Sequence, residues 1–376
     1  MMARVLVTGG AGFVGSHLVD ALVARGHRVR VFDSLEPQVH GEGACRPAYL
    51  HPEAELVVGT MTDREALRAA LAGVEVVFHQ AAAVGVAQSM YAIERYVREN
   101  AVGVAVLLEL LTTEREHLSV RRLITASSMA AYGEGQYRCV EHGVVFPELR
   151  LREQFERGEW EVRCPVCGRS VAPEPTPETK PLQPASVYAI TKRDHEELCL
   201  AVGRAIGLPT VALRYFGIYG PRQALSNPYT GVLAIFASRL LNGKSPVVYE
   251  DGRQLRDLVH VADIVQGNIL AMEREDVAYD VFNIGTGRPL AIGEVAAAMC
   301  RELAPGLEPQ ISNTYRAGDV RHCYADIAKA RRLLGYEPTM PLEAGLRNLL
   351  AWVRGRRADD AFEVAQGELR RHGLLG

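Results

Sequence analysis

Residues 4–33 constrain the fold of this chain more than any other stretch. Arg4-Val5-Leu6-Val7-Thr8 reads as a short buried strand, the run Gly9-Gly10-Ala11-Gly12-Phe13-Val14-Gly15 follows at once, and a helical pattern continues from Ser16 to Arg25. Gly26 stops that helix, and a second strand, His27 to Phe32, ends at Asp33. Strand, glycine turn, helix and strand in this order make a dinucleotide-binding unit. Gly9 permits the tight turn, Gly12 lets the backbone approach a pyrophosphate, and Gly15 lets the helix lie close on the strand. Phe13 and Val14 belong to the same cofactor turn, and the helix that it opens has its N-terminus facing the phosphates. A carboxylate at the end of the second strand accepts hydrogen bonds from a ribose 2′-hydroxyl and repels a 2′-phosphate, so Asp33 points to NAD over NADP. The competing reading of Asp33 is a turn residue ahead of Ser34.

Strand and helix patterns go on alternating: a strand Leu56 to Val58, a helix Asp63 to Ala72, a strand Val74 to His79, a long helix near Ile93 to Leu111, and a strand Arg122 to Ala126. Such alternation predicts an α/β fold with a doubly wound parallel sheet of the Rossmann type. Between Gly133 and Pro184 the periodicity gives way to Pro, Gly, Cys and charge, which marks an insertion. A helix carrying Tyr188 and Lys192 and a strand Thr210 to Phe216 follow, then a less regular C-terminal third suited to a substrate. The expected division is residues 1–133 and 181–216 as the NAD-binding domain, and 134–180 as a cysteine-containing insertion. Residues 217–376 are mainly a smaller substrate domain, with parts near 259–286 returning to the first. Arg354 to Leu375, rich in both charge signs, reads as a solvated helix without a function.

Composition narrows the class. A length of 376 residues suggests about two domains, and a 48% hydrophobic content supports buried cores. The net charge of −3 gives no reason to expect nucleic acid. No run of about 18 apolar residues is present, and the N-terminus begins a strand where a secretory signal needs a basic region and an apolar stretch. A cytoplasmic protein without membrane contact is expected. Seven cysteines, an odd number in a long chain, do not form a disulfide framework.

Two groups of residues carry chemistry. Tyr188-Ala189-Ile190-Thr191-Lys192 places a phenol and an ammonium one helical turn apart, and a nearby cation favours phenolate, as a general base requires. In the insertion, Cys139 and His142, then Cys164 and Cys167, form two pairs at X2 spacing separated by 21 residues. Three thiolates and an imidazole suit one tetrahedral zinc, and with all four positions filled the ion would be structural. The alternative is a solvent-facing loop with incidental cysteines. Cys45, Cys199, Cys300 and Cys323 lack such spacing and read as ordinary thiols.

Taken together, these segments resemble the extended short-chain dehydrogenase/reductase family, in particular its nucleotide-sugar epimerases and dehydratases, over most of the chain. The glycine turn is similar to the family's cofactor motif, and Val77-Phe78-His79-Gln80-Ala81-Ala82 to its next NAD-side strand. The resemblance implies cofactor contacts at Gln80, Ala81, Ala82, Thr60, Met61 and Asn100. Ser127-Ser128-Met129-Ala130-Ala131-Tyr132-Gly133 resembles the active-site strand end, implying Ser128 as the catalytic hydroxyl beside Tyr188 and Lys192. Leu213 to Arg222, Gly252 to Asp263 and Arg316-Ala317-Gly318-Asp319 are similar to the segments that hold the sugar nucleotide, implying substrate contacts at Gly217, Arg256 and Arg316. The arginines suit a diphosphate as bidentate partners. A solvated surface charge is the bland alternative for each.

Departures from the family pattern select among its chemistries. Dehydratases of the family carry an Asp-Glu pair directly after the catalytic hydroxyl, and decarboxylases a glutamate; Met129 and Ala130 stand there. What remains is removal of a hydride from C4 and its return to the other face, which is C4 epimerisation. Gly217 replaces a common Asn, and Thr60 a common Asp near the adenine. The insertion, Tyr137 to Gly143, Trp160 to Gly168 and Glu174 to Glu178, resembles that of the dTDP-L-rhamnose 4-epimerases, which interconvert dTDP-L-rhamnose and dTDP-6-deoxy-L-talose. A dTDP-hexose is thereby preferred over a UDP-hexose, with a UDP-glucose-type or other 4-epimerase as the rival. A non-catalytic NAD(P)-sensing regulator is the alternative from another class, disfavoured because Tyr188 and Lys192 are both present. The family implies a homodimer through the helices near Asn100 and Tyr188.

Overall fold

A computed structural model describes residues 2–376. Seven parallel strands form the main sheet, in the order Asp280–Ile284, Thr210–Tyr215, Arg122–Ser128, Val76–His79, Arg4–Thr8, Arg28–Asp33, Glu55–Val58. Short runs of β-branched and aliphatic residues produce it because side chains alternate between two covered faces. Val5, Val7, Val76 and Phe78 enter one core with the helices Phe13–Ala24 and Val261–Glu273. Leu6, Phe32 and Val77 enter the other with Arg64–Leu71 and Gly103–Thr113. Val5 pairs with Val29 on one side and Val76 on the other, so the strand order reverses at Arg4–Thr8. A crevice therefore opens at the carboxyl ends of the strands at this point.

Element ends follow local chemistry. Asp63 caps its helix by accepting from the Ala66 N–H at 3.0 Å, and Ser186 caps Val187–Ala205 from the Ala189 N–H at 3.1 Å. The long helix expected near Ile93 to Leu111 is interrupted: Ile93–Tyr96 leads into a π turn, Val97–Val102, before Gly103–Thr113. Such turns carry an extra residue per hydrogen-bonded loop, which a 3.6-residue pattern does not reveal. Asn100, inside the turn, is fully buried.

A second, smaller body packs around the strand Leu255–His260, which pairs with Gly217–Tyr219, Pro289–Ala291 and His322–Cys323. Its core is formed by the helices Val232–Leu241, Ile292–Leu303 and Leu342–Val353. The strand Asp280–Ile284 and the helix Val261–Glu273 belong to the main sheet and its cover. The insertion folds as a three-stranded antiparallel sheet, with Gln136–Cys139 between Gly143–Val145 and Ala172–Glu174, around Tyr137, Cys139, Val145, Val162 and Cys164.

The solvated-helix expectation for Arg354 to Leu375 is corrected. A helix, Phe362–Arg371, buries Phe362, Ala365 and Leu369 at i, i+3 and i+7 while Glu363, Arg370 and Arg371 face solvent. Its charges cover one face and hide an apolar stripe on the other. Among the described residues, no helix is long and apolar enough to cross a membrane.

Candidate active site

Two cavities, about 390 and about 360 Å³, share Ser128 and Tyr188 in their linings. The first lies over the glycine turn. Gly9, Gly12, Phe13, Val14, Gly15, Asp33, Met61, Gln80, Ala81, Ala82 and Lys192 all line it. A Cβ on Gly15 would meet the Gly9 carbonyl oxygen at 2.2 Å, and one on Gly9, whose φ is +66°, would meet the Ala81 backbone at 2.8 Å. The helix Phe13–Ala24 begins at Gly12 with neither a side-chain cap nor an acidic residue in its first turn, so its N–H groups remain available to an anion. Asp33 is held by the Ala11 and Leu35 N–H groups, each 2.9 Å from one of its carboxylate oxygens. The turn, the bare helix end and the oriented carboxylate fit a dinucleotide with a free ribose 2′-hydroxyl.

Two residues expected at the cofactor, Thr60 and Asn100, are not among the residues that line this cavity. The Thr60 hydroxyl turns to Glu99, 3.3 Å from Oε2, and Thr60 does not line the cavity although Met61 does. The Asn100 side chain bonds the Ala83 N–H at 2.7 Å, the Ala83 carbonyl at 3.1 Å and the Thr191 hydroxyl at 3.0 Å. It braces the loop after Val76–His79 against the helix bearing Tyr188, so its place is behind the cavity wall.

At the junction, burial raises the Tyr188 phenol above its usual value, and a hydrogen bond with Ser128 acts in the opposite direction. Burial pulls the Lys192 ammonium down to about 7. Its Nζ lies 3.3 Å from His195 Nδ1, and His195 Nε2 lies 3.0 Å from the Asn100 carbonyl. With Nε2–H donating to that carbonyl, Nδ1 is left to accept from the ammonium. Burial holds His195 well below its ordinary value, in keeping with a neutral ring. Lys192 is thereby fixed in the wall of the first cavity.

The second cavity holds Gly217, Arg256 and Arg316, with Met129 and Ala130 next to Ser128. Asp319 is the one carboxylate among its lining residues, and it forms a two-point pair with Arg316 at 2.9 and 3.1 Å. Arg256 donates to the carbonyls of Leu255, Arg321 and Val320. Both guanidiniums reach the cavity from preset positions. An anion there would add to the contacts of Arg256 and compete with Asp319 for Arg316.

In the insertion, Cys139, His142, Cys164 and Cys167 bring one ligand atom each within 4.8 Å of one another. The Cys139 and Cys167 sulfurs are 3.8 Å apart, and His142 Nδ1 lies 3.6 Å from Cys139 Sγ and 3.7 Å from Cys164 Sγ. A tetrahedron with bonds near 2.3 Å has edges of about 3.8 Å, so the spacing fits a thiolate-rich ion site.

Sequence reasoning missed the supports beneath these groups. Arg214 is buried against Glu196 and Tyr132, and Glu196 accepts from the Ser127 hydroxyl at 2.8 Å, tying the strand end at Ser128 to the helix of Tyr188. Glu196 follows Lys192 by four residues, and this spacing was a visible signal. Arg321, with no solvent exposure, bonds Glu161, Glu250 and Asp251, while Arg150 bonds Glu250 and the Asp319 carbonyl. These contacts fasten the insertion to the loop that carries Arg316.

Comparison with known proteins agrees with this geometry. A sequence model of the NAD dependent epimerase/dehydratase family matches residues 5–146 and 165–285. The chain is 36% identical over 354 residues to a dTDP-L-rhamnose 4-epimerase of Burkholderia thailandensis, covering 93% of this chain and 94% of the relative. A Thermotoga maritima UDP-glucose 4-epimerase solved with UDP-glucose superposes with a TM-score of 0.74 at 32% identity, over 93% of this chain and 98% of that one. The Thermus thermophilus UDP-glucose 4-epimerase in complex with NAD gives 0.72 at 29% identity, over 94% of this chain and 99% of that one. Sheet order, glycine cradle, the Tyr188–Lys192 helix and these matches over nearly the whole chain lead to one conclusion: the protein belongs to the NAD dependent epimerase/dehydratase family, within the extended short-chain dehydrogenases/reductases.

Proposed function

We propose that the protein inverts C4 of a nucleotide-activated hexose, with dTDP-L-rhamnose and dTDP-6-deoxy-L-talose as the substrate pair. The observation that carries the reading is the junction itself. Ser128 and Tyr188 face both cavities, so a carbinol carbon in one can lie against a dinucleotide in the other. When bound, NAD supplies the hydride acceptor and returns the same hydride, so no net redox change results. Tyr188 takes the proton of the C4 hydroxyl and gives it back, while the Ser128 hydroxyl steadies the oxygen as it becomes a ketone. Lys192, in the lining of the cofactor cavity, adds the positive charge that favours the phenolate. Met129 and Ala130 contribute no acid or base beside Ser128, which suits epimerisation and not elimination of water. Since the sugar presents both faces in turn, grip falls on the diphosphate, a role supported by the presence of Arg256 and Arg316 in the lining of the second cavity.

The dTDP choice rests on the Burkholderia relative; a UDP-hexose is the second reading, favoured by the Thermotoga and Thermus structures. Incubation with a panel of dTDP- and UDP-sugars, followed by NMR of the products, separates them. Conversion of dTDP-L-rhamnose to its C4 epimer is expected. Turnover confined to UDP-sugars would replace the first reading with the second, and absence of any C4 epimer would remove both. Because Asp33 faces the cofactor cavity, the purified protein is also expected to release NAD on denaturation with little NADP. Mostly NADP in that extract would place Asp33 away from the ribose.

Two assembly features belong to the same proposal. Cys139, His142, Cys164 and Cys167 hold a structural zinc, supported by their ligand spacing. The protein forms a homodimer, supported by exposed Ile93 and Val97 on one segment and Ile190 and Leu198 on the helix packed beside it.

A further inference from the structure

The helix Phe362–Arg371 has no place in the chemistry above, yet Phe362, Ala365, Gln366 and Leu369 line the second cavity and are absent from the lining of the first. They sit next to the arginine assigned to the diphosphate. The Arg316 guanidinium lies 4.8 Å from the centroid of the Tyr249 ring, and Gln366 Nε2 donates to the Tyr249 hydroxyl at 3.2 Å. A ligand whose diphosphate meets Arg316 and whose sugar reaches Tyr188 therefore has its remaining group, the nucleoside, beside Tyr249 and Gln366.

This wall is built to stay in place. Arg239 packs over the Phe362 ring at 4.5 Å and donates to Glu363 at 2.8 Å, anchoring the start of the helix. Beyond the helix, the Tyr315 N–H donates to the Gly376 carbonyl at 2.9 Å, the Gly376 N–H to the Tyr315 carbonyl at 3.0 Å, and the Ala317 N–H to the Leu374 carbonyl at 3.0 Å. The backbone on both sides of Arg316 is thus paired with residues 374–376.

Gln366 offers recognition as well as shape. Its Nε2 is engaged by Tyr249, and among the described residues no group donates to its Oε1. A half-buried carboxamide oxygen with an open lone pair asks for an N–H donor. Thymine and uracil carry one at N3, and cytosine does not. We propose that Phe362–Gly376 forms the nucleoside end of the sugar-nucleotide cavity, and that Gln366 is a specificity-determining residue whose Oε1 accepts the N3–H of a thymine or uracil base. The inference rests on the nucleotide-sugar reading and extends it to the base.

Calorimetric titration of the NAD-containing protein with dTDP, UDP and CDP tests it. The parent chain is expected to bind dTDP and UDP about tenfold more tightly than CDP, the scale of one buried hydrogen bond left unmade. Gln366→Leu is expected to lose about that factor for dTDP and UDP and to abolish the preference over CDP, since apolar leucine makes no such bond. Gln366→Ala, also a good helix former, repeats the measurement where leucine disturbs the packing. Retention of NAD checks that each variant is folded. A role limited to holding the helix would weaken all three ligands alike, and an unchanged UDP-to-CDP ratio in both variants would overturn the inference while leaving the 4-epimerase reading intact. A parent chain that binds none of the three would overturn both.

Discussion

Tyr188→Phe is expected to lower epimerisation by about 10²- to 10⁴-fold, the usual contribution of a positioned acid–base group, while the purified variant keeps its NAD. The substitution removes one oxygen from a side chain packed among Tyr96 and the floor of both cavities, so little volume changes. What disappears is the atom that receives the C4 hydroxyl proton. Ser128 remains, but its hydroxyl oxygen already accepts from the Ala130 N–H at 3.1 Å. Burial alone raises the Tyr188 phenol, so the phenolate depends on positive charge supplied by Lys192 and by the cofactor. Turnover is read by NMR of the sugar anomeric protons and NAD by release on denaturation. Rates within a few-fold of the parent would remove Tyr188 from the role of base, and NAD loss in the variant would show that the phenol serves the cofactor instead.

The parts legible in the sequence were those whose determinants lie close together along it. The strand Arg4–Thr8, the glycine run and Asp33 fall within thirty residues of one another, and each answers to a local rule: alternation, a turn without Cβ atoms, a carboxylate at a strand end. Tyr188 and Lys192 were visible because one helical turn separates them. Thr60 and Asn100 mark the limit of arguing by position. Each sits where a family contact was implied, but Thr60 turns toward Glu99, and Asn100, carried inward by a π turn, bonds Ala83 and Thr191 behind the cavity.

Long-range partners were not legible at all. Arg321 meets Glu161 across 160 residues and Glu250 across 71, and no periodicity encodes such a meeting. The helix Phe362–Arg371 failed for a different reason. Its charged residues dominate the composition, whereas burial is decided by Phe362, Ala365 and Leu369 alone, a stripe too narrow to stand out beside them. The same narrowness lets it serve as a wall with one wet face and one face toward a ligand.

Zinc removal should have an effect out of proportion to the size of the insertion. The protein is expected to contain about one zinc per chain by elemental analysis, because a four-ligand site of thiolates and imidazole takes a single tetrahedral ion. The three-stranded sheet beside these ligands buries only Tyr137, Val145 and Val162 besides two of the cysteines, little apolar surface to hold its shape unaided. Chelation or Cys164→Ser should therefore expose the segment between Gly133 and Pro184 to limited proteolysis. The consequence reaches the substrate through contacts already in place: Phe155 stacks on Tyr315 at 4.5 Å, Arg150 donates to the Asp319 carbonyl, and Glu161 pairs with Arg321. All three bear on the loop that presents Arg316. A loosened insertion should raise KM for the nucleotide sugar, while the glycine turn, on the other body, retains NAD. Protein freed of metal yet fully active, with residues 134–180 still protected, would rule zinc out; loss of NAD together with activity would mean that the metal supports the whole fold and not the substrate loop.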